Sequence, residues 1–301
     1  MTIKGLAITP PTIGRIAIGH MVEKEGRYLP EKDDAFTLTT QVQSKNGWIL
    51  HPLHQELAEQ APKGKIRSIP ITLLFDSPEL NLRANYSAFD RASARPLCAG
   101  NGEVARRAGP EGVEEMDCPG PDTCAFGQEH RCKPFGRLNV RVEGQDDPLG
   151  SFIFRTSGFN SIRTLTARLR YFAAISGGML SALPLALTLR AKSTAQSYRT
   201  PVYYVDLTLR PGMTLEQTIQ QAKEKRTSEV EAGLNQGALD RTAELSLGNG
   251  SFEEDPADVE SIVDEFVPES RPVAAQVSNR STDSGTLAEK LSVKADRAAT
   301  N

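Results

Sequence analysis

Four cysteines, Cys98, Cys118, Cys124 and Cys132, fall within 35 residues in the spacing C-x19-C-x5-C-x7-C. Between them stand Gly100, Gly102, Gly109, Pro110, Gly112, Pro119, Gly120 and Pro121, residues suited to tight turns rather than to a hydrophobic core. A stretch of this kind must be held by something other than apolar packing. Thiolates are soft donors that give zinc a closed tetrahedral shell, which leaves no position for a substrate. Zinc binding of this type supplies on the order of 10 kcal/mol of folding free energy. The spacing lacks the paired C-x2-C of zinc ribbons, so clustering carries the reading: one structural Zn2+ held by the four cysteines, with residues 98–136 as a zinc-stapled loop insert. His130 is a substitute ligand or a residue beside the ion. Two disulfides would need an oxidising compartment. The first ten residues lack the apolar core and cleavage site of a secretory signal, and no run approaches the roughly 20 apolar residues of a membrane span. The expectation is a cytoplasmic protein with no membrane contact and reduced thiols.

Around the cysteines, the periodicity predicts an α+β domain over residues 1–232, with a mixed or antiparallel sheet and a few helices. Ile13–Ile18, Phe36–Thr40 and Ile69–Phe75 alternate as strands do. Pro70 places the last of these at an edge, or starts it one residue later. Leu80–Phe89 reads equally as strand or helix. Phe135–Val142 and Ser151–Thr156 read as two strands joined by a turn over 144–150. Ile162, Leu165, Leu169, Phe172 and Ile175 make an apolar helical stripe, capped by Ser157, Asn160 or Ser161 and ended by Gly177-Gly178. Leu185–Ala191 and Val202–Leu209 predict a hairpin. Thr214-Leu-Glu-Gln217 is a capping box opening a helix with Leu215, Ile219 and Ala222 inward. Beyond residue 233 the apolar period stops, predicting a disordered acidic tail over 233–301. Within it, Val259, Ile262, Val263 and Phe266 stand at helical spacing among acids, the pattern of a segment that folds against a partner.

Charge is unevenly spread. Residues 1–212 hold 26 Lys/Arg against 21 Asp/Glu, and residues 213–301 hold 9 against 17. Residues 148–205 contain no acid at all, yet include Arg155, Arg163, Arg168, Arg170, Arg190, Lys192 and Arg199. Soluble surfaces normally mix both signs. With no nearby carboxylates these cations point to phosphate, hence to nucleic acid, with Tyr171, Tyr198, Tyr203 and Tyr204 as stacking surfaces for unpaired bases. The competing reading pairs them with acids elsewhere, such as Glu111, Glu114 or Glu115.

Motifs of catalysis are missing: the sequence has no G-x-S-x-G, Walker A or H-E-x-x-H. Gly100-Asn-Gly102 resembles a dinucleotide turn without the preceding strand. His51 and His54 read as surface residues, and Asp33-Asp34 and Asp146-Asp147 as solvated turns. A non-enzymatic role is expected.

Several stretches together carry a family resemblance. They are Gly14-Arg15-Ile16, Pro30-x-x-Asp33-x-x-Phe36, Leu97-Cys98-x-Gly100-x-Gly102 with Arg106, and the three further cysteines. Phe154-Arg155-Thr156-Ser157-x-x-Asn160-Ser161-Ile162-Arg163 and Gly177-Gly178-x-Leu180-x-x-x-Pro184-Leu185 complete the set. From about Gly14 to Arg210 the chain resembles the large recombination directionality factors of phages and integrative elements that use serine integrases. That resemblance implies an accessory DNA-recombination factor that binds a serine integrase and favours excision without cutting DNA itself, while the basic segment adds DNA as a second candidate partner. Two rivals follow from the residues: a single-stranded DNA binding or annealing protein of a mobile element, and a metal-dependent hydrolase, which would need an open coordination position.

Overall fold

The computed structural model describes residues 11–246, apart from 25–26, 45–46, 91–92, 94, 194 and 196–198. A long antiparallel hairpin opens it: β1 (Thr12–Lys24) pairs with β2 (Arg27–Ser44), and β3 (Gly47–Leu50) adds to the outer side of β2. Helix α1 (Pro52–Gln60), strand β4 (Ser68–Thr72) and a single helical turn, α2 (Pro78–Asn81), lead into β5 (Leu82–Phe89). Next comes a meander of β6 (Pro96–Gly100), β7 (Val104–Gly109) and β8 (Gly112–Asp117), followed by the short helix α3 (Ala125–Glu129). Strands β9 (Lys133–Val142) and β10 (Ser151–Thr156) precede the long helix α4 (Phe159–Ile175). The hairpin β11 (Leu185–Lys192) and β12 (Val202–Leu209) and the helices α5 (Leu215–Glu231) and α6 (Gln236–Ser246) complete the described chain.

These strands form one mixed sheet in the order β3-β2-β1-β10-β9-β5-β6-β7-β8, so the α+β class expected from the sequence is the one adopted. β1 and β10 run parallel and the other pairs antiparallel. Strand β9 is the hub. Its residues 136–140 pair with β10 and 133–138 with β5, while Arg141 and Val142 pair with β4, which carries β11 and β12.

Side chains alternate between faces along a strand, and here the two faces differ sharply. One presents Ile16, Phe36, Leu38, Leu138, Val140, Phe152 and Phe154 to the core. Leu53 of α1, Leu165, Leu169 and Phe172 of α4 and Ala222 of α5 cover it, together with Ile69, Ile71, Leu185, Leu187, Val205 and Leu207. Each such leucine or phenylalanine contributes roughly 1.5–3 kcal/mol by leaving water. The fit is close enough to dictate a glycine: a Cβ on Gly14 would sit 2.4 Å from the Phe152 ring and 2.8 Å from the Thr39 carbonyl oxygen.

The α4 stripe, both strands at 133–156, the late hairpin and the capping box at Thr214 match the expectations. Four local readings are corrected. Residues 98–136 are a three-strand meander with a helix, because their short strands pair with one another and with β5, a non-local gain that periodicity does not show. Leu80–Phe89 is ambiguous because it holds both conformations, a turn of helix and then a strand. β4 begins at Ser68 and contains Pro70, whose carbonyl accepts from Glu143 N–H at 3.0 Å. None of Ser157, Asn160 or Ser161 caps α4. Gly158 holds that position, and Ser161 Oγ instead accepts from Val205 N–H at 3.1 Å.

The boundary at residue 232 also moves, since α6 lies beyond it. Ala243 is fully buried against Leu74, Phe75 and Leu80, and Asp240 accepts from the backbone N–H of Asp76 and Ser77. Of its apolar residues only Ala243 is buried while Leu239 and Leu245 are exposed, so no continuous stripe marks the helix in the sequence. The segment holding Val259, Ile262, Val263 and Phe266 lies outside the described residues.

Candidate functional site

The meander and α3 bring the four cysteines from four positions along the chain to one cavity. Cys98 lies on β6, beside Arg107 of β7. Cys118 follows β8 directly, its N–H bonded to Glu103 O at 2.8 Å. Cys124 is the N-cap of α3, its Sγ accepting from Gly127 N–H at 3.3 Å. Cys132 closes the turn with its N–H on Gly127 O at 2.7 Å, one residue before β9. Two glycines make the approach possible. A Cβ on Gly100 would lie 2.6 Å from Cys118 Sγ, and one on Gly127 would lie 3.2 Å from the Cβ atoms of both Cys124 and Cys132.

All four cysteines line a cavity of about 20 Å³, with Tyr86, Arg107 and Phe126 among its walls. That is space for a single atom-sized occupant. None of the thiols is in a disulfide. Burial pushes the Cys132 thiol up to about 11, and the three other cysteines add to the rise. Burial also raises Cys98, opposed by the Arg107 guanidinium. That cation stacks 3.9 Å above the Phe126 ring with Nη2 4.0 Å from Cys124 Sγ. His130 packs on Phe126, ring centroids 4.2 Å apart, and does not line the cavity. Among the described residues, no group of three or more His, Cys, Asp or Glu is arranged to hold a metal ion.

The basic segment is less uniform than its sequence. Asp206, buried and one residue past the acid-free window, accepts from Arg168 Nε at 3.0 Å and Arg190 Nε at 2.7 Å. Arg170 reaches Glu79 at 3.4 Å, both exposed. The expectation that these cations have no internal carboxylates is thus overturned for three of them, and the acids concerned are not Glu111, Glu114 or Glu115. Asp206 and Glu79 were invisible as partners because pairing crosses from α4 to β12 and α2. Lys192 Nζ bonds Asn160 Oδ1 at 2.6 Å, one helical turn before the exposed Arg163. Arg199 is exposed in the connection from β11 to β12. Among the described residues, no ion pair engages Arg163, Lys192 or Arg199. Tyr171 is half exposed, Tyr203 packs on the core, Tyr204 is partly buried opposite Arg190, and Tyr198 lies outside the described residues.

Arg155 belongs elsewhere. It points to the sheet face away from the leucine core, directly opposite Arg137 on β9, which in turn lies opposite Arg83 on β5. Arg15 on β1 shares that face, its guanidinium 4.0 Å from the Trp48 ring. Sequence reasoning missed this row, although the alternation in Phe135-x-Arg137-x-Asn139 carries it. It also missed the clamp on α5, where Arg226 Nη2 donates to both Asp76 oxygens at 2.9 Å and Ser181 donates to Oδ1.

Other polar motifs are structural. His51 Nδ1 accepts from Leu53 N–H to cap α1, and His54 Nδ1 accepts from Leu38 N–H. Burial lowers the pKa of both, so they are framework groups rather than surface ones. Asp34 lies within β2, not in a turn, held by Lys65 and Arg67, which keep its carboxyl well below the usual range. No described helix is long and apolar enough to cross a membrane.

A family model described as Gp3-like, recombination directionality factor-like, matches residues 13–210, from β1 to the end of β12. No curated protein and no solved structure matches the chain.

Proposed function

Because the chain belongs to the Gp3-like, recombination directionality factor-like family, we propose that it is a non-catalytic accessory factor of a mobile element or phage that binds a serine integrase and shifts it towards excision. The observation that carries this is the extent of the family match, which takes in the sheet, the cysteine meander and α4 and ends before α5 and α6. A cytoplasmic location accords with that role.

One structural zinc ion at Cys98, Cys118, Cys124 and Cys132 belongs to the same reading. The fit is chemical: four soft donors, one atom-sized cavity, and Arg107 to offset part of the excess negative charge of four thiolates. Bound zinc would lower the thiol pKa values and draw the sulfurs inward. Four cysteine ligands leave no open position, which disfavours hydrolysis.

DNA contact, where it occurs, falls to the cations not neutralised internally: Arg163, Lys192 and Arg199 along one edge of α4 and the β11–β12 hairpin. The exposed ring of Tyr171 also favours a second reading, single-strand binding. Excision by the cognate integrase, measured with and without the protein, tests the first. Excision unchanged by a stoichiometric amount of the folded protein would reject it. Steeply salt-dependent binding to single strands without integrase would favour the second.

A further inference from the structure

Asp206 is 2% exposed, and each of its carboxylate oxygens takes one cation: Oδ1 accepts from Arg168 Nε at 3.0 Å and Oδ2 from Arg190 Nε at 2.7 Å. A carboxylate withdrawn from water needs such charge-assisted bonds. One negative charge set between two guanidinium groups still leaves one positive charge in surplus. The arginine side chains themselves remain 43% and 49% exposed. Each is held through Nε alone, and among the described residues neither has another hydrogen bond or ion pair. Their Nη groups are thus not committed to any partner in the described fold. Long side chains lose conformational entropy when they grip a ligand, and a side chain already fixed loses less.

Local structure sets this arrangement. On β11, Thr188, Arg190 and Lys192 alternate onto one face, opposite Asp206, Tyr204 and Val202 of β12. On α4, Asn160, Thr164, Arg168 and Tyr171 recur every three or four residues and share one side of the helix. Two bonds join helix and hairpin: Arg168 to Asp206 and, roughly 12 Å away along the helix axis, Lys192 Nζ to Asn160 Oδ1 at 2.6 Å. They gather Arg168, Arg190 and Lys192 on one surface, with the exposed Arg163 one turn along α4 from Asn160. Glu79 is engaged with Arg170. Four cations around one buried carboxylate suit a polyanion.

We propose that Asp206 is a positioning residue, which presents Arg168 and Arg190 as a fixed pair of guanidinium forks to the phosphate backbone of nucleic acid. The inference rests on the DNA contact proposed above, and adds to it two cations and the group that holds them. With Nε taken by Asp206, the Nη groups of each planar fork supply donors to phosphate oxygens. Lys192, held by Asn160, adds a point charge.

Asp206→Asn tests this by its sign. The substitution removes a negative charge, so charge alone predicts tighter binding to nucleic acid. A positioning role predicts the opposite, a loss of at least about fivefold in affinity. Fluorescence anisotropy on the full chain reads it, with a mixed-sequence single strand of about 20 nucleotides and the matching duplex as probes, at about 0.1 M salt. R168K/R190K keeps both charges, and lysine can still pair with Asp206, so this variant tests the forks even where D206N does not fold. It should bind at least about threefold more weakly than the native chain, with an unchanged salt slope. R168Q/R190Q removes both charges and should lower the slope by about two. Unchanged or tighter binding by D206N that is folded by circular dichroism, or native affinity in R168K/R190K, overturns the proposal and leaves the DNA contact to Arg163, Lys192 and Arg199. Failure of the native chain to bind either probe at about 50 mM salt would overturn both.

Discussion

The leucine core and the cysteine meander are built from the same sheet by opposite means. In the first, strands β1, β9, β10 and β11 bury rows of large side chains under α1, α4 and α5. In the second, the buried side chains are small, Cys98 and Ala99 of β6 and Ala105 of β7 against Ala88 of β5, with Leu97, Met116, Phe126 and two further cysteines partly covered. β8 has no buried residue at all. One region is stable because its sequence is greasy. The other has hydrogen-bonded strands but too little apolar area to offset the entropy of ordering them. The difference shows that two regions of one sheet can share hydrogen-bonded strands while burying very different amounts of apolar surface; the proposed zinc site would make up that shortfall in the meander.

The largest test of that contrast is metal removal. Chelation, or Cys124→Ser, should unfold residues 96–132 while residues 151–209 keep their protection, a loss on the order of 10 kcal/mol confined to one region. Hydrogen exchange by segment reads it, and uniform behaviour of the two regions would break the comparison. Leu187→Ala should do the reverse. It costs about 3–4 kcal/mol, seen as a fall in the denaturation midpoint of the whole domain, with or without metal. Gly100→Ala places a methyl group against Cys118 Sγ and should cost about 1–3 kcal/mol, read as weaker zinc retention rather than as a lower core midpoint.

A smaller effect is one of sign. Cys132 is raised from 9 to about 11, so the metal-free folded state holds its proton more tightly than the unfolded chain does. Its contribution is complete below pH 9 and is lost as pH climbs towards 11, by up to about 1.4 kcal/mol per unit. With zinc bound the dependence inverts, because the metal displaces protons and gains affinity as pH rises from 5 to 8. Thermal midpoints of the meander across pH, with and without zinc, separate the two. The smallest stability effect is expected for Arg163→Ala, within about 0.5 kcal/mol. Yet the salt slope of any DNA binding should drop by about one.

Elements whose information is local were legible in the sequence: the α4 stripe, the Thr214 capping box, and strands β9 and β10. The cysteine cluster was legible too, since four rare side chains in 35 residues need no alignment to be noticed. What escaped depends on pairing across the chain. The meander looked like a loop because strands that bury only small residues, or none, have no hydrophobic period. The lone Asp206 looked unimportant beside seven cations, although its position between α4 and β11 makes it the partner of two. Arg155 read as a surface charge because only register reveals that it stands opposite Arg137. In each case the deciding contact joins residues far apart in sequence.

Strand β9 starts one residue after Cys132, passes through the arginine row at Arg137, and ends in the leucine core at Val142. A hydrogen-bonded ribbon resists bending in its own plane, so the meander cannot be pushed without turning the row beside it. A protein that grips the cysteine tip would therefore work the molecule like a handle. Torque applied there arrives, through about ten residues of one strand, at the charges on the far side of the sheet.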